Sequence, residues 1–187
     1  MAVGCTQRTA RWATTLVCTI GTCGVSSAQT MPDYADALPL PLPNDAWVWA
    51  GSPPGETGRL FVMEGGGTIR ILDIAYPTTP GALPVYTLRA TPFLVNTTSQ
   101  ARSLEFASDF ATSGKFYIAH EATGGSRITE FTVSADRNVA DPASARLVRH
   151  FQSLNFDHAL GSMHFWRDGY LYIGVGDGMN SGSGQSI

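Results

Sequence analysis

The chain has 187 residues, 43% apolar and 14% charged, with a formal net charge of −3. That balance suits a globular protein that buries a core. Its twelve basic residues include a single lysine, Lys115, and form no cluster, which excludes the electrostatic footprint of a nucleic-acid binder.

Residues 1–28 differ in texture from the rest. Arg8 and Arg11 precede the apolar stretch Trp12 to Val25, and Ser26, Ser27 and Ala28 place small residues before Gln29. This is the three-part layout of a secretory signal peptide. The apolar stretch is shorter than the roughly 20 residues of a spanning helix, and an uncleaved anchor or a buried helix are the alternatives. Cleavage leaves ten basic and fifteen acidic residues, a mature net charge of −5. The expected location is secreted or periplasmic, with no membrane span in the mature chain. Cys5, Cys18 and Cys23 all lie within the signal, so the mature chain has no disulfide, thiolate metal site or cysteine nucleophile.

Residues 29–44 carry four prolines and no periodic pattern, and read as an extended linker. From Asp45 to Ile187 short apolar runs alternate with Gly, Pro, Asp and Ser clusters, the pattern of an all-β protein. Leu60-Phe61-Val62, Ile69-Arg70-Ile71-Leu72 and Phe116-Tyr117-Ile118 are rich in the β-branched and aromatic residues that suit a pleated, half-buried surface. Only Ala140 to His150 holds a weak helical period.

Repetition is the strongest signal. Gly58-Arg59-Leu60-Phe61-Val62, Gly114-Lys115-Phe116-Tyr117-Ile118 and Gly169-Tyr170-Leu171-Tyr172-Ile173 share one pattern, a turn glycine leading into a large apolar strand, at intervals of 56 and 55 residues. Ser103-Leu104-Glu105-Phe106 precedes the middle copy and Ser162-Met163-His164-Phe165 the last, with Asp109 and Asp168 in the connecting turns. The repeated unit is therefore a hairpin. Further strands are expected at Thr68 to Asp73 and Arg127 to Val133. A repeat of about 55 residues with about four strands matches a propeller blade, and a β-sandwich is the competing architecture. The expected fold is a partial β-propeller of about two and a half four-stranded blades, an arc that leaves an edge open and implies a truncated product.

Three segments carry a family resemblance. Residues 101–120 (ARSLEFASDFATSGKFYIAH), 157–178 (DHALGSMHFWRDGYLYIGVGDG) and 58–73 (GRLFVMEGGGTIRILD) resemble the glucose/sorbosone dehydrogenase family, whose members are six-bladed propellers. Many of them oxidise sugars with pyrroloquinoline quinone and calcium. The resemblance implies an exported dehydrogenase acting on an aldose or related alcohol, with these cofactors held mostly by later blades, so that the chain alone is inactive. It places His158 on the family's general base, with Asp157 and Asp177 as the carboxylates that support the imidazolium. Histidine suits that task because its ordinary pKa near 6.5 leaves it able to accept a proton at neutral pH. If residues 157 and 158 were both in a regular strand they would face opposite ways, so Asp157 supports His158 only from a loop. The sequence departs from the family at Ala159 and Leu160, where an Asn and a Gly are usual, at Arg167 in place of a turn proline, and at Thr98.

Other patterns have plainer readings. His120, Glu121 and His164 do not converge in sequence, and no metal site is assigned to them. Gly174-Val175-Gly176 lacks the third glycine and following helix of a dinucleotide loop, and reads as a turn after a strand. Asn96-Thr97-Thr98 is a glycosylation sequon, and Trp47, Trp49 and Trp166 are expected in packing. Besides the dehydrogenase, two readings remain open: a secreted propeller that binds carbohydrate or protein without chemistry, and an architectural module.

Overall fold

The computed structural model describes residues 41–42, 47–95, 100–152 and 160–176, all within a unit spanning Leu40–Ile187. The expected signal peptide, almost all of the proline-rich segment and the sequon lie outside these residues.

The described chain is all-β and antiparallel. The first sheet runs in order β1 (Trp47–Gly51), β2 (Arg59–Glu64), β3 (Ile69–Ala75) and β4 (Val85–Leu88). The second repeats this meander as β5 (Ala101–Phe106), β6 (Lys115–Ala122), β7 (Gly125–Val133) and β8 (Ala140–Phe151). A hairpin of β9 (Leu160–Phe165) and β10 (Leu171–Val175) begins a third. The pairings Ala50↔Val62, Leu104↔Ile118 and Met163↔Ile173 put the three hairpins in one register, as the sequence repeat requires.

The leading strands lie one against the next: β5 packs on β1 and β2, and β9 packs on β5 and β6. Strand alternation explains how. Leu104, Phe106, Phe116 and Ile118 face the first sheet and join Phe61, Met63, Ile69, Ile71 and Phe93 in one core. Between the second sheet and the hairpin, Ala119 and Ile128 meet Leu160 and Met163, with Tyr117, Leu171 and Ile173 packed around them. Phe61 meets Phe93 and Phe106 edge to face, each at 5.0 Å, and Phe93 meets Phe116 at 5.2 Å. The segment after β4 fastens this core through backbone bonds, Phe93 N–H to Ile69 O at 2.8 Å and Ala140 N–H to Phe93 O at 2.7 Å.

Among the described residues helix is confined to α1 (Phe110–Ser113), one turn inside the second hairpin connection. Ala140 to His150, which carried a weak helical period, is the outer strand β8. Pairing with β7 overrides its propensity, and Pro142 is tolerated because β8 is an edge strand. No helix among the described residues is long and apolar enough to cross a membrane.

Candidate functional site

The residues expected to carry chemistry, Asp157, His158 and Asp177, lie outside the described residues, as do Thr98 and Ala159. Their flanking strands are described. Leu160, which stands where the resemblance puts a glycine, is 5% exposed and packs into the inter-sheet core with Ala119, Ile128 and Met163. Its side chain is therefore spent on joining sheets.

Titratable groups gather in three places. The first is the turn end of β6 and β7. His120 is buried, with Nδ1 3.1 Å from the Glu121 carbonyl oxygen and Nε2 3.0 Å from Thr129 Oγ1. A carbonyl only accepts, so Nδ1 carries the proton and Nε2 accepts from the threonine hydroxyl. Burial, the largest influence, pushes the His120 pKa below its ordinary value and keeps the ring neutral. Both nitrogens are engaged, so this histidine holds strands together and is no free base.

Glu121 beside it is 4% exposed. Its Oε2 accepts from Ser126 Oγ at 2.6 Å, while Oε1 has no hydrogen-bond donor and lies 3.6 Å from Arg102 Nε. The Glu121 N–H donates to the carbonyl of Gln100, which has a left-handed φ of 61°.

The second cluster lies between leading strands. Ser103 Oγ accepts the Met163 N–H at 3.2 Å, and Glu105 Oε1 accepts the Phe165 N–H at 3.1 Å. His164 Nδ1 lies 3.1 Å from the same carboxylate oxygen. Desolvation is the largest influence on Glu105 and raises its pKa, against the opposing pull of the Phe165 N–H and His164. This pair of acceptors on β5 had no sequence signal of its own. Only the registered repeat, which sets Ser103 and Glu105 opposite the next hairpin, pointed to it.

The third runs across the second sheet. The Tyr117 hydroxyl donates to Glu130 Oε2 at 2.9 Å, and Arg146 grips both oxygens of Glu130 at 3.1 and 2.9 Å. Arg146 holds the Glu130 carboxyl below its ordinary pKa. Burial first, and Glu130 second, push the Tyr117 hydroxyl up to about 12.

His120 and Glu121 point to different partners on β6, and His164 is exposed on β9. Among the described residues no three His, Cys, Asp or Glu converge to hold an ion. Trp49 packs on Phe106 at 5.9 Å as expected, whereas Trp166 is 59% exposed and stands outside the core.

No family model matches the chain. A solved structure named glucose dehydrogenase is similar to it at 20% identity with a TM-score of 0.52, over 73% of this chain and 42% of that one. At that identity the likeness is one of fold, and this chain spans less than half the length of that dehydrogenase.

Proposed function

We propose that this chain forms the first sheets of a β-propeller of the glucose/sorbosone dehydrogenase type, an exported quinone-dependent enzyme that oxidises an aldose or related alcohol. The observation that carries the reading is the registered meander. Two four-stranded sheets and a third hairpin have their leading strands packed in succession, which is how blades surround an axis. The fold likeness to a glucose dehydrogenase supports the same choice.

On this reading His158 takes the proton from the substrate hydroxyl, and Asp157 and Asp177 stabilise the imidazolium that forms. A bound pyrroloquinoline quinone with calcium would supply the hydride acceptor for this oxidation. The partner on this reading is the small-molecule sugar or alcohol, with no nucleic acid and no membrane span in the mature chain.

The test is dye reduction by the complete gene product, with the later blades that would hold the cofactors, given pyrroloquinoline quinone, calcium and a panel of aldoses. His158→Ala is expected to lower turnover on the order of 100-fold, as loss of a general base does. No quinone binding and no turnover with any aldose would remove the enzyme reading. The second reading, a propeller that binds carbohydrate or protein without chemistry, is favoured by Leu160, which fills the inter-sheet core where the resemblance calls for a glycine.

A further inference from the structure

Arginines in the two four-stranded sheets are matched to acceptors. Arg59, Arg70, Arg89, Arg102 and Arg146 each lie against a carboxylate, and Arg137 donates to the Phe110 carbonyl oxygen. Arg127, inside β7, is different. Its side chain is half-buried and its Nε is closed off from solvent, yet among the described residues no carboxylate or carbonyl meets its guanidinium. Its terminal nitrogens are not closed off in the same way. A half-buried cation without an acceptor is costly, and native proteins rarely leave such a donor without a partner. Carboxylates are not scarce here, since the chain has fifteen acidic residues to twelve basic ones.

The surroundings of Arg127 are set by strand pairing. The registers Arg127↔His120 and Arg127↔His150 place the three side chains in a row across β6, β7 and β8. His120 follows Phe116 and Ile118 at intervals of two, so the row lies on the face that packs against the first sheet. Both histidines are engaged. His120 binds the Glu121 carbonyl and Thr129, and His150 Nε2 lies 3.1 Å from the Gly124 carbonyl oxygen, to which it donates. The pair Glu121↔Ser126 alternates to the opposite face, where its two side chains bond each other. The Arg127 charge is felt by its neighbour: after burial, it is among the influences that hold the His120 pKa down.

We propose that Arg127 is the centre of a small oxyanion site, its terminal N–H groups taking two oxygens of a carboxylate, phosphate or sulfate. The planar fork of a guanidinium matches that geometry, and a charge set into the sheet is screened less than one in open water. The site rests on the unmatched cation and not on the dehydrogenase reading.

The experiment titrates the full chain with sodium phosphate, sulfate and acetate against sodium chloride at equal ionic strength, followed by imidazole NMR signals and by melting. An oxyanion should bind with a Kd on the order of 1 mM and raise the melting temperature. By offsetting the Arg127 charge it should also raise the His120 pKa. Arg127→Gln should weaken binding at least 10-fold and abolish the anion's effect on His120. Arg127→Lys, which keeps the charge and loses the fork, should fall between the two and serves as the second variant if the glutamine one folds poorly. Arg167→Gln, on an exposed turn, should bind like the wild type. Oxyanions that act no differently from chloride up to about 50 mM overturn the proposal. Binding that survives Arg127→Gln, or that leaves His120 unmoved, means an adventitious ion only and overturns it too. None of these results bears on dye reduction, which tests the enzyme reading separately.

Discussion

Glu105 and Phe165 are joined by a hydrogen bond from the Phe165 backbone N–H to Glu105 Oε1, at 3.1 Å, across the gap between two sheets. A leading strand has a neighbour on one side only, and on the other its N–H groups need acceptors. In β9 side chains of β5 supply them, so the joint between sheets is polar at the leading strands and apolar behind them.

Glu105→Ala leaves the Phe165 N–H without its acceptor and is expected to destabilise the chain by about 1–3 kcal/mol in urea denaturation. Glu105→Gln keeps an acceptor and separates the charge from the bond. Because desolvation raises the Glu105 pKa in the folded state, its stabilising contribution is complete below the unfolded pKa. It is lost as pH rises through the folded one. The stability difference between Glu105→Gln and wild type should therefore shift in favour of the glutamine variant above about pH 4.3. A difference that moves the other way would show that the pairing with His164 outweighs desolvation.

Tyr117 provides a second pH-dependent test. Its hydroxyl is pushed up to about 12, so its contribution is present below the ordinary tyrosine pKa and is lost between about pH 10 and the raised value. Tyr117→Phe should cost about 1 kcal/mol at pH 7, through loss of the bond to Glu130. That cost should shrink above pH 10. Phenolate absorbance should show one fewer late-titrating group in the variant, and an unaltered titration curve would contradict the assignment.

Phe61 is fully buried and its ring meets those of Phe93 and Phe106. Truncation removes contacts with both sheets at once, so Phe61→Ala is expected to cost about 3–5 kcal/mol by thermal or chemical denaturation. Phe61→Leu, which refills most of the volume, should cost clearly less.

The hairpins were legible in the sequence because one sheet face is buried and the side-chain period is two, which makes the apolar pattern visible and fixes register. Strand β8 was not, because most of it faces water: Ala, Arg and Leu on an outer edge carry helix propensity that only pairing with β7 overrides. The inter-sheet acceptors were half legible. Ser103 and Glu105 stood in the repeat, but their partners are backbone N–H groups, which no side-chain pattern announces. His120 and Glu121 attracted notice as a potential ligand pair, yet their bonds go to a carbonyl, Thr129 and Ser126, contacts set by strand pairing.

The three repeat glycines make the last test, because the sequence equates them and the structure does not. Gly114 has a φ of 66°, and a Cβ there would lie 2.5 Å from Val133 Cγ2. Gly169 has a φ of 83° with open space around it, and Gly58 has open space and no left-handed backbone. The left-handed conformation alone costs an alanine about 1–2 kcal/mol. Gly114→Ala should thus be the most destabilising, at about 2 kcal/mol or more, since Val133 must also give way. Gly169→Ala should cost about 1 kcal/mol, and Gly58→Ala should fall within about 0.5 kcal/mol of wild type. Melting of the three variants side by side checks the order. Equal losses at all three positions would mean that the hairpin turns share one backbone conformation, and that the distinction drawn from their φ values is wrong.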